Sequence, residues 1–339
     1  EVRPNTLVTG RYFLFKNFSP DNVGNSAGVP KITPDRATDF TDRMDSAALQ
    51  AATTIGANAL NELRLQFARR HQFRTLGATA AAGPAVIVSG AADFGGPRIG
   101  DTNSVGFDFS QKIWQVLDNY TWVAGGHALK GGVDLQFIGD DRVAPENFQY
   151  TFPSVSAYLA ARSGADPYGY TSLQQTFGQL DLSYSSRFYG FFVQDDWQLT
   201  PGIKLLYGLR HDLFDVPEAK RFQLNAYSNE FILDKNNFGP RAGISWALDE
   251  RSRTVVRAST GKMFEPPLLD FYDNAILSNG DPLRYNASVA GKSNGVPNPG
   301  SPAFPRSLAN APLPAQSITA VDTEFRTQSA WLSNVQFER

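Results

Sequence analysis

The residues of this 339-residue chain that could do chemistry do not form a catalytic pattern. Asp195 and Asp196 are adjacent carboxylates, the residue type that general acid–base catalysis uses in pairs. In a strand, however, neighbouring side chains point to opposite faces, so these two carboxylates cannot share one site. The chain contains no cysteine, which excludes cysteine nucleophiles and thiolate metal sites. The sequence therefore predicts no enzyme and no catalytic residue.

Metal, phosphate and nucleic-acid chemistry are equally unsupported. The three histidines, His71, His127 and His211, are scattered and have no ligand spacing between them. The glycine pairs at 125–126 and 131–132 are predicted to lie in a turn and a strand. No predicted helix follows them whose N-terminus could bind a phosphate. With 31 Lys+Arg against 33 Asp+Glu, no excess positive charge is available to hold nucleic acid. We expect no metal, no cofactor and no nucleic-acid partner.

The pattern that organises the sequence is an alternation of period two. From Ile203 to Leu213 the odd positions are mostly apolar, whereas the even positions are mostly polar or small. The same split recurs around 62–67, 129–137 and 238–248. Such runs extend over about ten residues, the length that a tilted strand needs to cross a bilayer, whereas strands of globular proteins average about five or six.

Ten strands follow from this pattern. We predict them at 4–16, 38–52, 58–71, 109–123, 128–142, 185–199, 203–216, 237–248, 254–265 and 325–338, and the segment 46–52 could alternatively be helical. Short turns alternate with long connections at about 17–38, 73–108, 143–184, 217–236 and 266–324. Loops of this length are uncommon in compact soluble domains, but they are typical of one side of a membrane barrel.

Two of the long loops carry local signals. Ser154 precedes the segment 155–162, which could form a short helix with this serine as its N-cap. The loop at 266–324 holds nine of the 21 prolines, so we expect it to be irregular.

The polar faces of the strands supply the candidates for a water-filled interior. The charged residues on these faces are Glu62, Arg64, Lys130, Asp134, Asp196, Lys204, Arg210, Asp212, Arg241 and Arg257. They either pair with one another or form a charged translocation wall. Asp195 shares the apolar face of its strand and is tolerable only near a rim. Gln115 and Asp118 have opposite parity, so one of them must also lie near a membrane boundary.

Aromatic side chains in the long loops are the candidates for ligand contact. They are Tyr150, Tyr158, Tyr168, Tyr170, Phe271, Tyr272 and Tyr285. Loop aromatics often form binding platforms, but they equally often only pack the loop, and the sequence leaves both alternatives open.

The sequence also resembles a known family. Residues 187–212, RFYGFFVQDDWQLTPGIKLLYGLRHD, resemble a hairpin of TonB-dependent outer-membrane receptors. Residues 238–243, FGPRAG, with 254–261, TVVRASTG, resemble the next hairpin of these receptors, although Thr260 stands where an aromatic is common. Residues 331–339 resemble a further strand of the same barrel.

Two other motifs match one branch of this family. Residues 61–64, NELR, and 126–131, GHALKG, resemble the Oar-like branch in particular. The resemblance implies an all-β, antiparallel transmembrane β-barrel, of which the ten strands would be part, because the family barrel has 22. Residues 1–339 would then belong to a single barrel domain, without the plug domain and the N-terminal regulatory-like domain of the family.

The resemblance implies a location in the outer membrane of a Gram-negative bacterium and TonB-energised uptake of a bulky ligand. That ligand would be a siderophore, a glycan, a peptide or cobalamin. The partners would be outer-membrane lipid, the plug domain and the TonB complex, and this part alone would not transport. An adhesion or secretion-associated barrel is the alternative function. A soluble β-rich enzyme or lectin is disfavoured, because it would expose broad apolar strips to water.

Overall fold

The fold was analysed in a computed structural model, which describes residues 5–23, 31–81, 83–96, 107–143, 147–178, 181–219, 230–249, 253–279, 284–309 and 318–339. In chain order the strands are β1 (Thr6–Asn22), β2 (Lys31–Ile32), β3 (Thr38–Ile55), β4 (Ala59–Leu76), β5 (Ala85–Val88), β6 (Ala92–Gly95), β7 (Asp108–Ala124), β8 (His127–Val143), β9 (Phe148–Phe152), β10 (Ser172–Gly178), β11 (Asp181–Thr200), β12 (Ile203–Asp215), β13 (Asn237–Ala247), β14 (Val255–Phe264), β15 (Arg284–Val289), β16 (Lys292–Ser293), β17 (Val296–Pro297) and β18 (Ser329–Glu338). The α-helices are α1 (Val155–Arg162) and α2 (Leu269–Leu277).

Ten of these strands form one antiparallel sheet in the order β1-β3-β4-β7-β8-β11-β12-β13-β14-β18. Every neighbour in this order is the next long strand along the chain, so the sheet is built entirely of successive antiparallel pairs. The predicted all-β fold and its ten strands are confirmed. Residues 46–52, which could have been helical, lie within β3 and pair on both sides.

Short turns and long loops lie at opposite ends of this sheet. The turns of β3–β4, β7–β8, β11–β12 and β13–β14 are all at one end, whereas the long connections are at the other. The β7–β8 turn needs glycine, because Gly125 has a φ of +59° and a Cβ on Gly126 would come within 2.8 Å of the Gln198 carbonyl oxygen. This arrangement agrees with the predicted alternation of short turns and long loops.

The pairing register gives the sheet two faces of different character. We call the face that carries Arg210 and Asp212 the inner face, and the face that carries Val193 and Leu209 the outer face. Val193 lies opposite Leu209, and these side chains are 57% and 44% exposed. Ile244 and Trp246, on the same outer face, are also exposed. The outer face of this sheet therefore is not one half of a dry two-layered core.

The apolar core lies instead among the long loops. The strands β15-β10-β9-β5-β6-β2 form a second, six-stranded sheet, in which β5 pairs with β9 and β2 with β6 in parallel. The fully buried Tyr150, Phe152 and Leu173 pack there with Val86 and Val88. We call this second sheet, with α1 packed against it, the loop assembly.

One loop prediction is confirmed and one is wrong. The helix α1 forms as expected, and the Ser154 side chain accepts a hydrogen bond from the Ala157 amide at 3.2 Å. The loop at 266–324, expected to be irregular, contains α2 and the strand β15. The strand β15 is held by β10, more than a hundred residues earlier, so no local sequence signal marks it. Among the described residues, no helix is both long enough and apolar enough to cross a membrane.

The outer face offers a direct test of this fold. If it faces lipid, Val193→Arg near the middle of β11 should lower the free energy of unfolding in phospholipid vesicles by about 2–4 kcal/mol. The matched control is Gln194→Arg, the next residue, which points to the inner face and should cost much less. Equal losses for the two variants would contradict the assignment of the faces.

Candidate functional site

The inner face of the large sheet carries the charged residues that the sequence singled out. The register places on this one face all ten charged residues selected from the sequence: Glu62, Arg64, Lys130, Asp134, Asp196, Lys204, Arg210, Asp212, Arg241 and Arg257. That this face lines a passage stays a prediction.

A group of four of these residues surrounds a cavity of about 180 Å³. Arg210 Nε donates to Asp212 Oδ1 at 2.8 Å, and Arg210 Nη2 lies 4.0 Å from Asp134 Oδ2. Gly190 makes this possible, because a side chain there would collide with the Arg210 guanidinium. Arg241 completes the lining. Two guanidinium groups and two carboxylates thus line the same cavity.

Other inner-face charges form separate pairs. Lys204 Nζ lies 3.0 Å from Asp196 Oδ2, and Arg64 Nη2 lies 3.8 Å from Glu62 Oε1. Arg257 Nη1 lies 2.5 Å from Glu338 Oε2, a partner that the sequence reasoning did not select. Because these side chains are partly exposed, each pair contributes little to stability. Each pair offsets one positive charge of the wall with one carboxylate.

A second inner-face cavity, of about 400 Å³, lies on β1, β3, β4 and β7. Its lining includes Arg11, Gln50 and Gln66, which the sequence reasoning missed, beside Arg64 and Gln115. These residues lie on the same face as Arg64, and the alternation of side chains along each strand assigns them to it once the strands are paired.

Among the carboxylates of the outer face are Asp118 and Asp195, and Asp195 alone of the two lies near a boundary, as the sequence predicted. Asp118 lies in the middle of β7, midway between the outer-face residues Trp114 and Trp122, so the boundary prediction is wrong for this strand. Asn61 Nδ2 donates to Asp118 at 2.7 Å. Asp195 is buried near the turn end of β11, where Tyr207 Oη donates to Oδ2 at 2.7 Å. His127 Nδ1 lies 2.7 Å from the same oxygen. Each of the two carboxylates therefore has a hydrogen-bond partner within the sheet.

The three histidines make separate contacts with different partners. His127 stacks on Trp197, with 5.1 Å between the ring centroids, and His71 Nε2 lies 2.8 Å from Asp108. His211 Nε2 bonds to the Lys235 carbonyl oxygen at 2.9 Å. Within the described ranges, His, Cys, Asp and Glu nowhere gather in a group of three that could hold a metal ion.

Two Gly-x-Ser-x-Gly segments were missed in the sequence reasoning. Residues 24–28 lie outside the described residues. Residues 291–295 place Ser293 in the two-residue strand β16, which leads into β17 and not into a helix. The strand-to-helix turn that would expose a nucleophile is therefore lacking at Ser293.

The seven loop aromatics divide by exposure. Tyr150, Tyr170 and Tyr272 are buried, Tyr158, Tyr168 and Tyr285 are half-buried, and Phe271 is exposed. Burial raises the pKa values of Tyr150 and Tyr170, and that of Tyr272 to about 12, so these hydroxyls stay protonated. Tyr150 donates to the Arg306 carbonyl and Tyr170 to the Pro302 carbonyl. A ligand could reach Phe271 directly, whereas the buried three would first have to be uncovered.

Helix α2 is docked on the loop end of the inner face. Its Asp273 is buried and forms an ion pair with Arg142 of β8, whose guanidinium lies 4.7 Å from the Phe109 ring centroid. Asp270 of the same helix lies 3.4 Å from Arg142. On its other side the helix borders a cavity of about 260 Å³, lined by Phe271 and residues 319–322. The sequence reasoning selected neither Arg142 nor Asp273.

Protonation of Asp273 tests this docking. Burial raises the pKa of Asp273 from 3.8 to about 6, against the lowering effects of the Tyr184 hydroxyl and Arg142, while Asp270 and Asp140 raise it further. The docked state therefore binds a proton more tightly than the undocked state. The stability that this tighter proton binding gives to the docked state is fully present below pH 3.8. It is lost as the pH rises through about 6.

We therefore expect slower amide exchange in α2 at about pH 5 than at about pH 7.5, after correction for intrinsic rates. Asp273→Asn should remove this difference, whereas the matched control Asp270→Asn, at an exposed position, should keep most of it, because burial is the largest cause of the raised pKa of Asp273. A pH dependence that survives in Asp273→Asn would contradict the assignment.

Comparison with solved structures agrees with the fold. The outer membrane transporter YddB from Escherichia coli superposes with a TM-score of 0.52 at 12% identity, over 86% of this chain and 33% of that chain. A ferric enterobactin receptor from Pseudomonas aeruginosa gives 0.43 at 12% identity, over 79% and 32%. The ferric-catecholate import receptor Fiu from E. coli gives 0.43 at 13% identity, over 78% and 42%. The chain thus spans about a third of the transporter that it resembles.

The family is shown by sequence. No curated protein sequence matches the chain, but the family model described as outer membrane beta barrel domain matches residues 1–339. The two-faced antiparallel sheet and the outer-membrane proteins that it resembles agree with this match. The protein is accordingly located in the outer membrane of a Gram-negative bacterium, and the chain belongs to the outer membrane beta barrel domain family.

Proposed function

We propose that this chain forms part of the wall of an outer-membrane receptor that takes up a bulky ligand with energy from TonB. The observation that carries the proposal is the combination of two features of one sheet. An inner face with charges of both signs runs along the strands, and a folded loop assembly stands at their loop end. Uptake needs both a recognition surface and a hydrated path behind it.

The inner face would provide the path. The four charges Asp134, Arg210, Asp212 and Arg241 offer donors and acceptors to a polar ligand or to a plug domain. Because these charges neutralise one another within the wall, neither sign is strongly repelled from the path. The barrel domain would include all of residues 1–339, and the plug domain and the TonB complex would be its partners in the complete receptor.

The loop assembly would provide recognition. Its buried aromatic core holds the loops in a fixed arrangement, which lowers the entropy lost when a ligand binds. Of the seven aromatic candidates, Phe271 is the one most exposed to an incoming ligand, and it borders the cavity beside α2. The proposed ligand classes are siderophores, glycans, peptides and cobalamin.

The motifs at 61–64 and 126–131 support a place in the Oar-like branch. The charge pairs of the inner face are structural rather than catalytic in this proposal, so the protein would be a transporter and not an enzyme. An adhesion or secretion-associated barrel remains the competing function, because it would use the same two-faced strands without energy coupling.

Uptake by cells carrying the complete receptor gene separates these functions. We expect labelled ferric siderophores, cobalamin, maltodextrins or peptides to accumulate in such cells, and the accumulation to stop when TonB is deleted. Arg210→Ala with Arg241→Ala should reduce accumulation, and the control Arg253→Gln, at an exposed position of the β13–β14 turn, should leave it unchanged.

Accumulation that is independent of TonB would exclude energised uptake. Lack of accumulation for every probe, together with loss of cell adhesion or secretion when the gene is deleted, would favour the alternative barrel.

A further inference from the structure

The cavity of about 260 Å³ beside helix α2 has the lining of a ligand pocket. It lies between α2 and the segment 319–325, and we call it the α2 cleft. Five of its eight lining residues in the described part of the chain are apolar or aromatic, namely Phe271, Tyr272, Ala320, Val321 and Phe325. The other three are polar. Ligand pockets of proteins usually combine an apolar lining with a few polar groups.

Both walls of the cleft are held in place by contacts of their own. The buried Tyr272 ring packs edge-on against Phe231, with 5.0 Å between the ring centroids. The Thr319 amide donates to the Ser278 carbonyl oxygen at 2.8 Å, so the second wall is tied to the C-terminal end of α2. The cleft is therefore formed before a ligand arrives, which lowers the entropy lost on binding.

The size of the cleft suits one side chain of a bulky ligand and not the whole ligand. An apolar cavity of about 150 Å³ is enough to hold a benzene ring. The α2 cleft has room for such a ring together with part of the chain that carries it. Phe271, which is 54% exposed, would lose contact with water when the cleft is filled, and this burial of apolar surface favours binding.

The charged group in the lining is a carboxylate. Asp322 Oδ1 accepts a hydrogen bond from the Glu324 amide at 2.8 Å, whereas Asp322 Oδ2 accepts none from the residues that the structure describes. Within those residues, the lining includes neither Lys nor Arg. A ligand group next to Asp322 is therefore favoured if it is positively charged and disfavoured if it is negatively charged.

The arginines that adjoin the two walls already have carboxylate partners. Arg326 follows the lining residue Phe325, and its Nη1 lies 3.9 Å from Asp234 Oδ1. Arg142 contacts α2 through an ion pair with the buried Asp273. These two cations are therefore engaged within the protein and do not turn the α2 cleft into an anion site.

The lining offers few free partners to a ligand rich in hydroxyl groups. Asn274 Nδ2 already donates to the Asp270 carbonyl oxygen at 3.0 Å. A sugar ring would bring several hydroxyl groups into the cleft, and each of them costs free energy if it loses water without gaining a hydrogen bond. An apolar side chain has no such requirement. A ferric catecholate is anionic and would meet the Asp322 carboxylate.

We propose that the α2 cleft binds one aromatic or branched aliphatic side chain of a peptide, with a positive charge of the adjacent peptide residue next to Asp322. A peptide carries both groups on neighbouring residues, and its remaining residues stay outside a cleft of this size. The inference rests on the proposed uptake function and selects peptides among its ligand classes. A sugar and a ferric siderophore are the competing occupants.

Titration of the purified complete receptor with short peptides tests this inference. The probes are the acetylated tripeptide amides Gly-Phe-Lys, Gly-Ala-Lys and Gly-Phe-Glu, and saturation-transfer NMR in dodecyl maltoside micelles measures their affinities. Gly-Phe-Lys should bind about tenfold more tightly than Gly-Ala-Lys, because its ring leaves water. It should bind about fivefold more tightly than Gly-Phe-Glu, because its charge is opposite to that of Asp322.

Two variants with matched controls assign these preferences to the α2 cleft. Asp322→Asn keeps an acceptor for the Glu324 amide but removes the charge, so it should abolish the preference for Lys over Glu and keep the preference for Phe over Ala. Glu324→Gln, which removes an exposed carboxylate outside the lining, should keep most of both preferences. Ala320→Phe, at an exposed lining position, should fill the cleft and weaken Gly-Phe-Lys to the level of Gly-Ala-Lys. Leu268→Ala, at an exposed position next to α2 and outside the lining, should have no effect.

Equal affinities of Gly-Phe-Lys and Gly-Ala-Lys would overturn the inference, as would unchanged binding in Ala320→Phe. Displacement of the peptide by similar concentrations of maltotriose or of a ferric catecholate would also overturn it, because the occupant would then be a sugar or a siderophore. The uptake function survives such a result if the receptor still accumulates another probe in a TonB-dependent way. Specific peptide binding without any TonB-dependent accumulation would support the α2 cleft and overturn the uptake function instead.

Discussion

The alternation of side chains along a strand is the constraint on which this structure depends. Each residue of the large sheet faces the surroundings opposite to those of its neighbours, so a one-residue shift in register would exchange the inner and outer faces. The continuous antiparallel pairing from β1 to β18 fixes that register over ten strands. The backbone groups of the eight strands between β1 and β18 are satisfied by neighbours on both sides, and the side chains can differ from one face to the other.

Because of this constraint, the apolar core lies in the loop assembly and not against the large sheet. Leu209 and Trp246 remain exposed on the outer face, while the fully buried aromatic residues Tyr150 and Phe152 lie in the loop assembly. The sheet needs no dry core of its own if lipid covers its outer face. The loops, which stand in water, do need one, and strands from four different connections combine to make it.

The sequence therefore predicts the sheet far better than the loops. The ten long strands are visible because their alternation is local, and the Ser154 cap is visible for the same reason. The strands β5, β9, β10 and β15 are held by partners from distant loops, so their sequences carry no local mark. The same holds for the candidate site. Charged residues on the strands, such as Arg210, could be assigned to a face from the sequence. The contact of Asp273 with Arg142 could not be predicted, because it depends on how α2 docks.

The central claim is that the outer face meets hydrocarbon and the inner face meets water. Because the chain has no cysteine, single cysteines at 205 to 210 of β12 can each carry a nitroxide label without background. In phospholipid vesicles, collisions with oxygen should peak at 205, 207 and 209, and collisions with a water-soluble nickel chelate should peak at 206, 208 and 210. If labels at 205 and 209 are shielded from both reagents, as in a dry two-layered protein core, the account is contradicted.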